Sequence, residues 1–307
     1  MSLLHISLFS KFRVEFSDQI VSGIESQKTQ EFLSYLLLYR NRLHSRESLA
    51  DLLWPDNLQA KAYLRRVLWQ IQSTLGECDD AAKEMLLVDA NWIQINTAAS
   101  FWLDISCFEQ TFALVKGVSG TDFSPETARQ VQEAVDLYSG DLLQGWYLDW
   151  CILERERYQQ MFLSMLDKLM AYEKAKQNYE VGWTYGMTIL RYDPLREHTH
   201  RELMALYYLA GNRSESLKQY HRCAALLDKE LGVRPAYETE SLYRQLKGNT
   251  LPPAVFPQRQ LTNDRTVDHE TSLQGLLKDL KQIQTALAVI QERVQHEIQL
   301  SQSGPRK

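Results

Sequence analysis

Two adjacent arginines, Arg65 and Arg66, sit in a stretch whose side chains suit the reading of DNA: QAKAYLRRVLWQIQSTL, residues 59–75. Arginine can give paired hydrogen bonds to guanine O6 and N7, and glutamine can pair with adenine N6 and N7. The stretch holds no proline or glycine, so it predicts one helix about 25 Å long. Leu64, Leu68, Ile71 and Leu75 follow the i, i+4, i+7 spacing of a buried stripe. A step of about 100° per residue puts Gln59, Ala62, Arg66, Gln70 and Ser73 on the far side, with Arg65 and Trp69 on the flanks. On a helix docked in a groove, Arg66 and Gln70 then face bases, while Lys61 and Arg65 meet phosphates. An ordinary amphipathic surface helix with solvated charges has the same pattern, so the neighbouring elements must decide.

Those neighbours form a recognisable support. Residues 3–9 and 11–16 are short and β-leaning. Residues 27–39 predict a helix with Phe32, Leu33, Leu36 and Leu37 inward. Residues 41–44 break it. Ser45 can cap a second helix, and Glu47 adds a carboxylate to its first turn. Leu49, Leu52, Leu53 and Trp54 make the apolar side of that helix, which Pro55-Asp56-Asn57 ends. Two helices joined by a short turn, the second with a polar outer face, are the helix-turn-helix pattern. Gly76 and an acidic loop at 77–80 follow. Residues 85–88 and 92–96 then flank Asp89-Ala90-Asn91 as a hairpin. This hairpin predicts a wing whose tip, at Asn91, reaches the DNA backbone.

Composition sets the bounds. The 307 residues suffice for two or three domains, and the 44% hydrophobic and 24% charged fractions are those of a soluble globular protein. The net charge of −5 excludes a wholly basic nucleic-acid coat, so any DNA contact must be local. From residue 40 to 72, Arg40, Arg42, Arg46, Lys61, Arg65 and Arg66 outweigh Glu47, Asp51 and Asp56. The patch predicts moderate, salt-sensitive affinity. The longest apolar run, residues 35–39, is too short to span a bilayer, and the N-terminus lacks a signal peptide pattern. Cys78, Cys107, Cys151 and Cys223 are scattered and form no CxxC pair, which points to a cytoplasmic protein with reduced thiols. No phosphate loop, GxGxxG, HExxH or GxSxG is present, so no enzyme and no cofactor are expected. His198, His200 and His221 have no carboxylate or cysteine at ligand spacing. No metal site is expected there, and His200 is read as a hydrogen-bonded packing residue.

Residues 98–250 predict helices. Asp104 can cap one running through Phe108, Phe112 and Val115, and residues 126–138 form another. A long helix runs over 147–176. Helices over 180–192, 198–209 and 214–231 follow, separated by Asp193-Pro194, Gly211-Asn212 and Gly232. Helix pairs with such turns are the pattern of a tetratricopeptide-like solenoid. Trp102, Leu103 and Phe108 follow the wing without a flexible linker, so residues 1–97 and 98–247 are expected to pack together.

Several runs carry a family resemblance. The strands, three helices and hairpin resemble the winged-helix domain of two-component response regulators. LRRVLWQIQSTLG at 64–76 is similar to the recognition helix of SARP-type regulators. LLVDANWIQINT followed by WLDISCFEQ resembles that family's wing and its exit into the next domain. YSGDLLQGWY at 138–147 and ERERY at 154–158 resemble the opening of the bacterial transcriptional activator domain and the start of its long helix. YDPLREHTHRELMALYYLAGNRSESLKQYHRCAALLDKELGVRP, residues 192–235, resembles that domain's most specific run. The resemblance covers roughly residues 1–247. It implies a mainly α protein, with a winged helix at 1–97 and an activator domain at 98–250. It also implies double-stranded DNA as a partner, and RNA polymerase or a signal as what the helical domain couples to. Where the family often has arginine, this chain has Gln70 and Gln72. With the short 55–58 loop and the net acidity, this supports a second reading, a protein-interaction adaptor whose winged helix no longer binds DNA.

Residues 251–269, with Pro252, Pro253 and Pro257, have no helical or strand period and predict a linker. Over 270–300, Leu273, Leu280, Leu287 and Val294 recur every seven residues, as do Leu276, Ile283 and Ile290. These are the a and d positions of a coiled coil, which implies a homo-oligomer. A lone amphipathic helix is the alternative. Replacing both Leu280 and Leu287 by Asp puts charge into the seam, so the oligomer is expected to dissociate. Light scattering checks this: an unchanged mass, or a monomeric parent, contradicts it.

Overall fold

The computed structural model describes residues 3–248. The expected linker and the heptad helix with its seam residues lie outside the described residues. Among the described residues, no helix is long and apolar enough to cross a membrane.

Leu4 and Ile6 alternate with outward His5 and Ser7, and that period of two makes strand β1 (Leu4–Ser7). It pairs antiparallel with β2 (Arg13–Phe16), which pairs with β3 (Gln19–Ile20). Ser26 caps α1 (Gln27–Leu38), its Oγ accepting from Thr29 N at 3.2 Å. Phe32, Leu33, Leu36 and Leu37 of α1 are fully buried. Where the sequence suggests only a break, His44–Ser45 forms a short strand, β4. Ser45 also caps α2 (Arg46–Leu53), accepting from Ser48 N at 3.4 Å. Helix α3 (Ala60–Cys78) runs through Gly76, and α4 (Asp80–Lys83) replaces the expected acidic loop. Burial explains both differences. Leu75, Ala82 and Met85 all join the core, and that gain exceeds the modest penalty of one helical glycine. The wing is β5 (Leu86–Val88) and β6 (Trp92–Ile95), and β4 adds to it as a third strand, His44 opposite Ile93 and Ser45 opposite Trp92.

After the wing the chain returns to the first sheet. Strand β7 (Phe101–Leu103) lies parallel to β1, Leu4 opposite Phe101 and Ile6 opposite Leu103, giving the order β3-β2-β1-β7. It leads directly into α5 (Asp104–Val115). Asp104 is buried at the first position of that helix but does not act as its side-chain cap. Its Oδ2 accepts from Leu8 N at 2.7 Å and Phe9 N at 2.9 Å, and its Oδ1 from Ile105 N at 2.6 Å. The carboxylate thus ties the end of β1 to the start of α5.

Helix α6 (Pro125–Leu137) precedes the YSGDLLQG motif, and α7 (Asp149–Ala175) follows it. The motif bonds to the segment beyond β1. Ser10 N donates to Asp141 O at 2.9 Å, Leu143 N to Leu8 O at 2.9 Å, and Gln144 N to Ser10 O at 2.6 Å. Arg155 of ERERY clamps the same loop, donating to the carbonyls of Leu142, Leu143 and Trp146 at 3.0, 2.9 and 2.8 Å. Arg157 and Tyr158 both donate to Glu109 Oε1, and Arg40 from the end of α1 pairs with its other oxygen. Burial raises the Glu109 carboxyl, but these three donors outweigh it and hold the group below the ordinary value. Phe9 packs against Phe108, Tyr138 and Tyr158 at 5.0, 4.9 and 5.6 Å between ring centres. The winged-helix part and the helical part therefore share one core.

Helices α8 (Tyr179–Tyr192), α9 (Glu197–Leu209) and α10 (Arg213–Leu231) continue the stack, and α11 (Tyr237–Gly248), which the sequence reading does not anticipate, closes it. A Cβ at Gly186 would lie 2.7 Å from Leu203 Cδ2, so α8 approaches α9 closely there and a larger residue would have to displace the Leu203 side chain. His200 is buried, with Nε2 against Pro194 O at 2.9 Å and Nδ1 against Gln219 Nε2 at 2.8 Å, a packing role. Since the Gln219 amide donates, Nδ1 accepts and Nε2 carries the proton to Pro194.

Replacing Asp104 by Asn puts an N–H where two backbone donors converge. At pH 7 the loss is expected to be about 3 kcal/mol, a fall in Tm of roughly 6–12 °C for a body of this size, measured by calorimetry. Burial pushes the Asp104 carboxyl up to about 6, against the three amide donors that lower it. An acid whose folded value exceeds its unfolded one, about 3.9, binds protons more tightly when folded, so its contribution falls as pH rises through that window. The parent's lead over the Asn variant should therefore shrink by about 2 kcal/mol from pH 4 to pH 7 and stay flat above. A constant difference across that range contradicts this assignment.

Candidate nucleic-acid interface

Helix α3 buries Ala60, Leu64, Val67, Leu68, Ile71, Thr74 and Leu75. The buried sector is wider than the leucine stripe alone, because Val67 and Thr74 extend it on one side. The 21–26 turn lies over that side. Gly23 in the turn has φ +99°, and a Cβ on it would fall 2.6 Å from Thr74 Oγ1, so only glycine lets the turn sit there. Gln70 is held by the same turn, its Nε2 donating to Gly23 O at 2.6 Å. This corrects the expectation that Gln70 points at bases. Ser73 is also half-buried.

The outward face is consequently rotated toward Arg65 and Trp69. Trp69, expected on a flank, is 71% exposed. Lys61, Ala62, Arg65 and Arg66 are all exposed, as is Gln59 just ahead of the helix, which makes no side-chain cap bond. Lys61 pairs with Glu47 of α2 at 2.7 Å, so its charge is already partly matched. Arg65 and Arg66 have no ion-pair partner among the described residues.

Between α3 and the wing runs an open groove of about 620 Å³, lined by Ser45, Arg46, Lys61, Arg65, Asn91 and Trp92 among others. The wing is fixed at its turn. Asp89 Oδ1 accepts from Asn91 N and Trp92 N, both at 2.7 Å, which also holds its carboxyl below the ordinary value. Arg46 N donates to Asn91 O at 2.9 Å and Arg46 Nη1 to Asp89 O at 3.0 Å. The exposed Asn91 thus stands across the groove from Arg65. Arg66 faces the other way, beside Trp54, Tyr63 and Ser26. Arg46 and Trp92 are missing from the sequence-derived set. Only the non-local pairing of β4 with β6 brings them to the groove, and no local period announces it.

Comparison with known proteins finds relatives for both the sequence and the fold. The family model of the bacterial transcriptional activator domain matches residues 103–247. Transcriptional regulatory protein MoaR1 of Mycobacterium bovis is 22% identical over 71% of this chain and 71% of its own length, and so is MoaR1 of Mycobacterium tuberculosis. The solved structure of Mycobacterium tuberculosis EmbR, in complex with a low affinity phosphopeptide, superposes with a TM-score of 0.70 at 15% identity, covering 93% of this chain and 72% of that one. Residues 103–247 are thus a bacterial transcriptional activator domain, and the chain is similar to SARP-type transcriptional regulators. The activator-domain match begins at Leu103, one residue before the carboxylate that binds the end of β1.

Because Gln70 serves the Gly23 turn, Gln70→Ala should cost about 1 kcal/mol of stability, the worth of one side-chain hydrogen bond. Urea unfolding measures this. An unchanged midpoint would show that the bond holds nothing.

Proposed function

We propose that this regulator binds promoter DNA sequence-specifically through α3 and the wing, and that its helical region passes the binding on to RNA polymerase or to a signal, as an activator. The supporting observation is a pair of arginines on the exposed face of α3, without an ion-pair partner among the described residues, beside a wing held in place by Arg46. In this reading α3 lies in the major groove. Arg66 meets a base edge, while Arg65 and Asn91, on opposite sides of the groove, meet the backbone. The sugar-phosphate chain of a duplex fits such an open polar channel better than a small molecule would. Self-association through the segment carrying Leu273 to Val294 would place two such units on one site.

The adaptor reading draws support from two observations. Gln70 is tied to Gly23, and Lys61 is matched by Glu47, which leaves few free donors on the helix. The two readings part on salt. Arg66→Ala is expected to cost roughly 1–3 kcal/mol and to relax preference at one position, while Arg65→Ala weakens all duplexes alike and lowers the salt slope by roughly one unit. The measurement is binding of parent and variants to a site selected from random duplexes and to a scrambled one, across salt concentrations. A parent that shows no salt-dependent binding to any duplex replaces the regulator mechanism with the adaptor.

A further inference from the structure

The midline of the α3 outer face is apolar. Ala62 and Trp69 stand seven residues apart, two turns of helix, and so point nearly the same way. Both are exposed, and Trp69 is 71% so. Arg65 lies on one side of this line, lining the groove toward the wing, and Arg66 lies on the other, beside Tyr63. An indole at the centre of a face has no solvation reason to be there. The flanking cations, free of ion pairs among the described residues, make an anionic partner the fitting cover for it. A duplex offers both features. Its phosphates carry the charge, and in the major groove its only apolar group on a base edge is the thymine C5 methyl.

Resting on the DNA-binding reading above, we infer that Ala62 and Trp69 read thymine methyls. The rise between them is about 10 Å, which spans about three base steps of roughly 3.4 Å. The preferred site therefore carries two thymines about three base pairs apart, and Arg66 sets the base next to them. The donors a glutamine-rich face would supply are absent because Gln70 is engaged at Gly23. Selectivity on this face comes from methyl contact more than from amide pairing.

The test replaces each thymine of the selected duplex, one at a time, by deoxyuridine, which removes only the methyl. Binding is followed by fluorescence anisotropy for the parent, Trp69→Ala and Ala62→Ser. For the parent, deoxyuridine should weaken binding about fourfold at each of two positions, the worth of one buried methyl, and have no effect elsewhere. Trp69→Ala should lose the sensitivity at one of the two positions and keep it at the other, and Ala62→Ser should do the reverse. Both side chains are exposed, so an unchanged thermal midpoint will show that the variants fold. Specific binding by the parent with no response to deoxyuridine overturns the methyl reading and leaves DNA binding standing. So does a response that survives unchanged in both variants. No binding to any duplex overturns both.

Discussion

One buried carboxylate holds the two functional halves of this protein together. Asp104 opens α5, yet two of its three hydrogen bonds go to amides nearly a hundred residues earlier, at Leu8 and Phe9. Those amides lie where β1 ends, so without an acceptor they would be buried donors with no partner. Neighbouring bonds depend on their position. Ser10 and Leu8 can engage the 141–144 segment only because the backbone is already turned there, and Phe9 enters the ring cluster of α5 and α7 from the same turn. Arg155 then completes the loop that these bonds shape. The YSGDLLQG and ERERY motifs are thus mutual supports around the first strand of the chain.

Much of this was legible from residue order, and the unread parts share one cause. The leucine stripe of α3, the caps at Ser26 and Ser45, and the hairpin around Asp89 are local patterns, and local periods announce them. The strands β4 and β7 have two and three residues, too few to show alternation, and exist only because a distant strand accepts them. The orientation of α3 was misread for the same reason. Four leucine-type positions place the centre of the buried face, but its width depends on Val67 and Thr74, which are covered by the turn around Gly23. Gln70 looked like a base-reading side chain by type and spacing. A carbonyl 47 positions away claims it, and nothing within the helix signals that. In the helical region the motif residues identify the fold well because they make its packing, as His200 does.

The acidic net charge and a surface for nucleic acid are compatible because charge is distributed by element. Along α3 the cations on the outer face are few, and one of them, Lys61, is already answered by Glu47. Elsewhere arginines are spent on structure: Arg40, Arg155 and Arg157 all serve the junction between the halves. What remains on the outer face of α3 is a narrow strip of Arg65 and Arg66 with an indole between them. Such a strip gives little nonspecific attraction, so discrimination would have to come from close fit.

The parallel pairing of β7 with β1 has a consequence for how a duplex could be engaged. The chain leaves the shared sheet after β3 and returns to it along β7, which lies against β1 over three opposed residues, so both ends of the winged helix are fixed to one sheet and no hinge separates it from the helical stack. A body fastened at both ends cannot swivel. On a duplex, each inserted base pair rotates the next binding site by about a tenth of a helical turn. A body of this kind keeps one fixed angle to the face it engages, so moving its site by one base pair would carry the helical stack around the duplex by that same tenth of a turn.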